Sequence, residues 1–182
     1  MSTVALVALA RPTFDLTCAQ ANFDSARALL QELGATVVGP AELVMTVEDV
    51  AAVTLPQADL HILFMASFSD ASPAVELLGS VKGPILGWSM REPGELGERL
   101  KLNSMCGVNL AAHALMDAGQ SIRHIHGNAD EPHVREAISE ALNGNLPSAT
   151  TPPIKKGERA ASDQVEKALT WLKGKKVGAV GE

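Results

Sequence analysis

The chain has 182 residues, 46% of them hydrophobic and 20% charged, and a formal net charge of −6. This composition is typical of a globular protein with a substantial core, and the absence of a Lys/Arg cluster argues against a nucleic-acid partner. The apolar runs are too short to cross a bilayer, no signal-peptide pattern is visible and only two isolated cysteines occur, so we expect a cytoplasmic protein without a membrane partner.

Strand-like and helical segments alternate from the N-terminus. Thr3–Leu9 is a continuous apolar, β-branched run, which is typical of a strand buried on both faces. Ala19–Leu33 carries its apolar residues on one side of a helix, and Gly34 supplies the C-terminal stop. Residues 35–39 (ATVVG) predict a second strand. Thr46 is predicted to cap a short helix with acidic residues in its first turn.

The same alternation continues to residue 142. In order, the predicted elements are a strand at 58–65 (ADLHILFM), a helix at Ser69–Leu78, a strand at 83–88 (GPILGW), a helix at Ser104–Ala118, a strand at 121–127 (SIRHIHG) and a helix at Glu131–Leu142. Such alternation implies right-handed crossovers and a parallel sheet. The sequence therefore predicts a doubly wound, flavodoxin-like or Rossmann-like α/β domain over residues 1–146. Its five parallel strands are expected in the order 2-1-3-4-5, with helices on both faces.

The C-terminal part breaks this pattern. Residues 147–160 are rich in Pro, Ser and Thr and predict a linker. Ser162–Leu172 reads as a helix, and residues 175–182 (KKVGAVGE) as the start of a buried strand. Because an apolar strand without a crossover cannot bury itself, residues 161–182 are interpreted as the first helix and strand of an incomplete second α/β domain. We therefore expect the chain to be a piece of a longer protein.

Several reactive side chains are weighed against ordinary structural roles. His124 and His126 alternate on a predicted strand and point to one face, but no Cys or acidic partner completes a metal set, so packing or surface roles are favoured. His113 is expected to be buried and hydrogen-bonded within its helix. Cys106 follows a possible N-cap at Ser104, where the helix dipole favours a thiolate. No histidine adjoins Cys106 in sequence, so a thiol nucleophile is not favoured.

The loops that follow the strands carry the polar residues of interest. In a doubly wound sheet, ligands bind beyond the carboxyl ends of the strands. The residues expected to gather there are Arg11, Asp15, Trp88, Arg91, Glu92 and Asn103. Guanidinium, carboxylate and amide groups around a flat indole suit a polyhydroxylated ligand, because its hydroxyls need donors and acceptors while its C–H faces pack on an aromatic ring. Alternatively, Trp88 fills a gap between loop and sheet, and Arg91 and Glu92 form a solvated pair.

Longer motifs resemble the N-terminal region of the L-fucose/L-arabinose isomerase-like family. They are VALVALARPTFD, GATVVGPAELVMTVEDV, PILGWSMREPGE and RLKLNSMCGVNLAAHALMDAG. HIHGNADEP fits the next strand and loop, and LKGKKVGAVGE is similar to the entry into that family's second domain. The resemblance covers nearly the whole chain but only about the first third of a typical member.

This resemblance implies an aldose–ketose isomerase of carbohydrate metabolism. In that family a divalent metal, typically Mn²⁺, chelates two sugar oxygens and carboxylates move a proton between carbons. These groups come from the later domains, so neither a catalytic residue nor a metal ligand is expected in this chain. The first domain lends an arginine and a tryptophan to a neighbouring subunit's sugar site, and Arg11 and Trp88 match them. The resemblance thus implies a homo-oligomer that shares its sugar substrate between subunits.

Two other functions remain open at this point. The chain could be a stand-alone, non-catalytic module that binds a sugar or another small molecule on a flavodoxin-like fold. A receiver-type regulatory domain is the third reading, but the loop after strand one (ARPTFD) lacks the acidic cluster that would hold magnesium.

Overall fold

The structure is a computed structural model that describes residues 2–148 and 163–175. It divides into two units, Met1–Ala149 and Thr150–Glu182. The first contains β1 (Thr3–Leu9), α1 (Leu16–Glu32), β2 (Thr36–Val38), α2 (Val47–Ala52), β3 (Leu60–Met65), α3 (Ala71–Leu78), β4 (Ile85–Ser89), α4 (Ser104–Asp117), β5 (Ile122–His126) and α5 (Pro132–Leu142). The second contains α6 (Asp163–Leu172). None of the helices in the described ranges has the length and hydropathy needed to span a membrane.

The five strands form one sheet in the order β2-β1-β3-β4-β5. All four neighbouring pairs are parallel, which confirms the predicted fold class and strand order. All six residues of β3 and the last six of β1 are buried. Burial on both faces explains why these two segments read as continuous apolar runs in the sequence.

The core lies in two layers, one on each face of the sheet. Successive residues of β1 point to opposite faces, so Leu6 and Ala8 join one layer while Val7 and Leu9 join the other. The first layer is closed by α1 and α5, and the second by α2, α3 and α4. Each fully buried large apolar side chain contributes about 1.5–3 kcal/mol, and together they fix the edge of the sheet from which the loops emerge.

Local capping sets where the helices begin and end. The Asp15 carboxylate accepts the Cys18 N–H at 2.9 Å, so α1 begins at Leu16 rather than at the predicted Ala19. Thr46 caps α2 as predicted, in a reciprocal capping box with Asp49. The prediction that Ser104 caps α4 is wrong, because the cap is Asn103 and Ser104 lies in the first turn.

The second unit is described only through α6 and the three residues after it. Its side chains Val165, Leu169, Trp171 and Leu172 are exposed. Most of the predicted linker at 147–160 and all but one residue of the predicted strand at 175–182 lie outside the described residues. The interpretation of residues 161–182 as the start of a second domain stays a prediction.

Candidate functional site

The loops after β1, β3 and β4 meet at the carboxyl edge of the sheet. The backbone N–H of Asp15 donates to the carbonyl of Lys101 at 2.9 Å, and the N–H of Phe68 donates to the carbonyl of Leu102 at 2.7 Å. Residues 101–102, directly before α4, therefore hold the β1 and β3 loops against the β4 loop. Five of the six predicted site residues lie in these loops, and Trp88 lies in β4 beneath them.

Glu92 orders the long loop between β4 and α4. Its carboxylate accepts the backbone N–H groups of Lys101, Leu102 and Asn103, the last two at 3.0 and 2.6 Å. Asn103 adopts a left-handed conformation with φ of 50°, and successive N–H groups around such a residue form a concave anion site. Here the protein's own carboxylate fills that site. Both oxygens of the Glu92 carboxylate thus accept hydrogen bonds from the backbone. A direct contact between Glu92 and a ligand stays a prediction.

Arg91 pairs with Glu131 and not with its neighbour Glu92. Two parallel hydrogen bonds join the guanidinium to the carboxylate, at 2.7 and 2.6 Å, a strong bidentate geometry. Glu131 also accepts the backbone N–H of Asn128 at 2.6 Å. The hydrogen bonds from Arg91 and then from Asn128 lower the pKa of Glu131 to about 2. The Arg91–Glu131 pair connects the β4 loop to the β5 loop. The alternative that Arg91 and Glu92 pair with each other is therefore wrong.

Arg11 occupies the point where the strand order reverses, between β1 and β3. Its backbone N–H donates to the Ser67 hydroxyl at 3.0 Å, and its guanidinium lies 3.4 Å from Asp70. The same guanidinium lies over the Phe68 ring, 5.9 Å from its centroid. The Arg11 side chain is 45% exposed, so its guanidinium keeps N–H donors available beyond the one that it donates to Asp70.

Trp88 is fully buried in the layer closed by α1 and α5. Its indole N–H donates to the carbonyl of Gly127 at 2.8 Å. Its ring meets Phe64 edge-on, with the centroids 5.3 Å apart. Of the two roles that the sequence left open, this geometry matches packing beneath the loops. Stacking on a sugar would require the indole to leave the core.

Two phenylalanines at this edge were not singled out from the sequence. Phe14 and Phe68 are half-buried, and their ring centroids lie 6.2 Å apart. Phe14 lies in the loop after β1 and Phe68 in the loop after β3. The chain has only four phenylalanines, and the motifs TFD and FSD place two of them beyond adjacent strands. The repeated placement of a phenylalanine just beyond a strand could have predicted that both rings lie at this edge.

An open cavity of about 570 Å³ lies between the β1 and β4 loops. It is lined by Thr13, Phe14, Asp15, Glu98, Arg99, Leu100 and Lys101. The volume lies within the range of small-molecule sites. Its lining combines acidic and basic residues with one aromatic residue, so it offers both donors and acceptors to a polar ligand.

His124 and His126 lie on one face of β5, as predicted, and converge on Ser89. The Ser89 hydroxyl lies 2.8 Å from His124 Nε2 and 2.9 Å from His126 Nδ1. Burial lowers the pKa of both histidines. The description of His113 as buried is wrong, because it is exposed and pairs with Asp117 at 3.4 Å. Cys106 is exposed and unbridged.

The manganese that the family resemblance implies finds no fitting ligand set among the described residues. Within residues 2–148 and 163–175, no three His, Cys, Asp or Glu side chains come together as a metal site. Ser89 with its two histidines offers two strong ligands, which is short of the set expected for a bound divalent ion. No chemical step is therefore assigned to a metal held by these residues.

The fold and the edge loops define a class: a doubly wound α/β domain whose loops converge at the carboxyl edge of a parallel sheet. No family model matches the chain. It is 29% identical over 146 residues to the sulfoquinovose isomerase of Priestia megaterium, covering 78% of this chain and 32% of the relative. It is 33% identical over 143 residues to that of a Clostridium species, covering 76% and 32%. The match to the Alkalicoccus urumqiensis enzyme of the same name is 32% over 142 residues, covering 76% and 31%.

These relatives are sugar isomerases by name, which supports the broader part of the resemblance. They are not named as L-fucose or L-arabinose isomerases, so the narrower assignment gains no support from them. The chain spans about a third of the length of the curated relatives it matches.

Proposed function

We propose that this chain is the N-terminal substrate-recognition domain of an aldose–ketose sugar isomerase that acts on sulfoquinovose or a closely related sugar. The observation that carries the proposal is the similarity of more than three quarters of the chain to sulfoquinovose isomerases. The structure adds support, because the loops meet at the edge of the sheet where doubly wound domains bind ligands.

The chemistry of the edge suits an anionic sugar. Hydroxyl groups need both donors and acceptors, and Arg11 with Asp70 offers them 3.4 Å apart. A sulfonate needs positive charge, and Arg99 and Lys101 line the cavity beside the β1 loop. Planar guanidinium groups suit oxyanions because they donate two parallel hydrogen bonds.

Catalysis is assigned to other parts of the protein. In this proposal the metal ligands and the proton-transferring carboxylates lie outside this chain, and the divalent metal that the resemblance implies would supply Lewis-acid chemistry there. The edge described above then forms one wall of a site completed by a neighbouring subunit. The protein is proposed to be a cytoplasmic homo-oligomer.

The direct test is an isomerisation assay on the full-length gene product. Sulfoquinovose, glucose, L-fucose and L-arabinose are each incubated with enzyme and Mn²⁺, and ketose formation is followed by NMR. We expect conversion of sulfoquinovose that a chelator abolishes. Conversion of only the neutral sugars would refute the sulfonated substrate. Tight sugar binding without conversion would favour the non-catalytic module.

A matched pair of variants tests the role of the edge. Arg11→Gln should raise KM for sulfoquinovose at least about tenfold, since one interaction of 1.4 kcal/mol corresponds to a factor of ten. Arg135→Gln is the control, because Arg135 lies on α5 and pairs with Glu32 at 2.7 Å. Equal kinetics for both variants would place sugar recognition elsewhere.

A further inference from the structure

We infer that Phe68, supported by Phe14, is the flat apolar face against which the sugar ring binds. The inference rests on the proposed function and adds a specificity-determining residue to it. The family resemblance implied this role for Trp88, but that indole is enclosed in the core. Phe68 lies in the loop after β3, beside Arg11, at the point where the strand order reverses.

The backbone of Phe68 is fixed from two directions. Its N–H donates to the carbonyl of Leu102 at 2.7 Å. In addition, α4 approaches closely at Gly107, where an added Cβ would lie 3.1 Å from the Phe68 Cα. The backbone from which the ring projects is therefore positioned before a ligand arrives, which reduces the entropy lost on binding.

The ring itself is not absorbed into the core. Phe23 and Phe64 are completely buried, whereas Phe68 is only half-buried. It meets Phe14 at a tilt of 46°, so the two rings form an angled apolar surface. Two partly exposed aromatic rings on adjacent loops present an apolar surface that a solvated loop does not need.

Polar groups flank this surface in the arrangement that a sugar requires. The Arg11 guanidinium lies over one face of the Phe68 ring, 5.9 Å from its centroid, and 3.4 Å from the Asp70 carboxylate. A sugar that binds here packs its C–H groups on the opposite face of Phe68 and directs hydroxyls around the ring edge to Arg11 and Asp70. Apolar contact with a ring face and hydrogen bonds at its edge act together in such sites.

The experiment measures sulfoquinovose binding to the full-length protein by isothermal titration calorimetry, with a thermal melt of each variant. Phe68→Leu retains most of the volume but removes the flat face, and Phe68→Tyr retains the face. We expect roughly two- to tenfold weaker binding for Phe68→Leu and about the native affinity for Phe68→Tyr, because only the leucine variant loses the aromatic contact with the sugar face. Met116→Ala, an exposed change in the last turn of α4, is the control and should bind normally.

The outcomes separate this inference from the proposed function. Native affinity in a folded Phe68→Leu protein that still converts sulfoquinovose would overturn the role of Phe68 and leave the isomerase intact. Absence of binding and conversion in the native protein would overturn both. Weakened binding in Phe68→Leu with restored binding in Phe68→Tyr supports the inference.

Discussion

Trp88 and its hydrogen bond to Gly127 join β4 to the loop after β5 through a single side chain. The indole fills the layer under α1 and α5, and its only polar atom is paired with that carbonyl at 2.8 Å. Removing so large a buried side chain leaves a cavity that the surrounding strands cannot close. At the scale of single residues, we therefore expect truncation of Trp88 to cost a large part of the domain's stability.

Trp88→Ala should therefore destabilise the domain by about 3–5 kcal/mol. Trp88→Phe should cost less, about 1–3 kcal/mol, because it mainly leaves the Gly127 carbonyl without a partner. Urea unfolding of the 182-residue chain measures both. The hypothesis that Trp88 stacks on the sugar would instead be supported by two results together. The 182-residue Trp88→Ala chain would keep its native stability, and the full-length Trp88→Ala protein would lose sugar affinity.

Three histidines make stability depend on pH in one direction. Burial lowers the pKa of His61, His124 and His126 below the ordinary 6.5. Between the folded pKa values and about pH 6.5, the unfolded chain therefore binds more protons than the folded chain. The free energy of unfolding is at its full value above about pH 6.5 and decreases as pH falls through this interval. Urea unfolding at pH 7.5 and 5.5 measures the loss.

His61 offers a matched variant for this prediction. It is 1% exposed, and its Nδ1 makes no hydrogen bond with the residues that the structure describes. His61→Met removes the titrating group at similar volume and should reduce the loss of stability between the two pH values. His113→Gln, at an exposed position on α4, should leave it unchanged. A loss that is identical in all three proteins would contradict the assignment.

The segment Lys101–Asn103 coordinates the loops at the scale of elements. Its N–H groups donate to Glu92, and its carbonyls accept from Asp15 and Phe68. One carboxylate thereby sets the positions of two other loops. Glu92 is a positioning residue in this account, because it acts on the sugar surface through the backbone.

Glu92→Ala should loosen this arrangement without unfolding the sheet. Hydrogen exchange at the amides of residues 101–103 should accelerate at least about tenfold, because charged hydrogen bonds contribute about 1.5–3 kcal/mol. Sulfoquinovose affinity should fall in parallel, and Glu92→Gln should restore part of it. Glu95→Ala, on the same exposed loop, is the control. Unchanged exchange at residues 101–103 would show that Glu92 does not order the loop.

The elements were predictable because their signals are local. Apolar periodicity and turn residues placed every strand and helix of the first unit within a few residues, and alternation gave the parallel order. The partners of the site residues are not local. Glu92 bonds backbone 9 to 11 residues away, Trp88 bonds residue 127, and Arg91 bonds residue 131. The sequence therefore predicted that five of the six residues share the edge loops, but not that Trp88 lies beneath them or which residues hold the loops together.

In the proposed function, this chain recognises the sugar and the rest of the protein carries out the isomerisation. The described residues contain no metal cluster, and the matched relatives are about three times as long as the aligned region. The 182-residue chain alone should show no isomerase activity with any aldose, with or without Mn²⁺. Turnover by the purified chain that a chelator abolishes would refute this division.

The central claim is that sugar binds at the carboxyl edge of this sheet, and hydrogen–deuterium exchange of the full-length protein tests it most directly. Spectra are compared with and without saturating sulfoquinovose. With sulfoquinovose bound, we expect slower hydrogen exchange in residues 10–15, 66–70 and 90–103. Exchange at the opposite edge of the sheet, around Pro84 and Ser121, should not change. Protection confined to other parts of the protein, with these three loops unchanged, would contradict it.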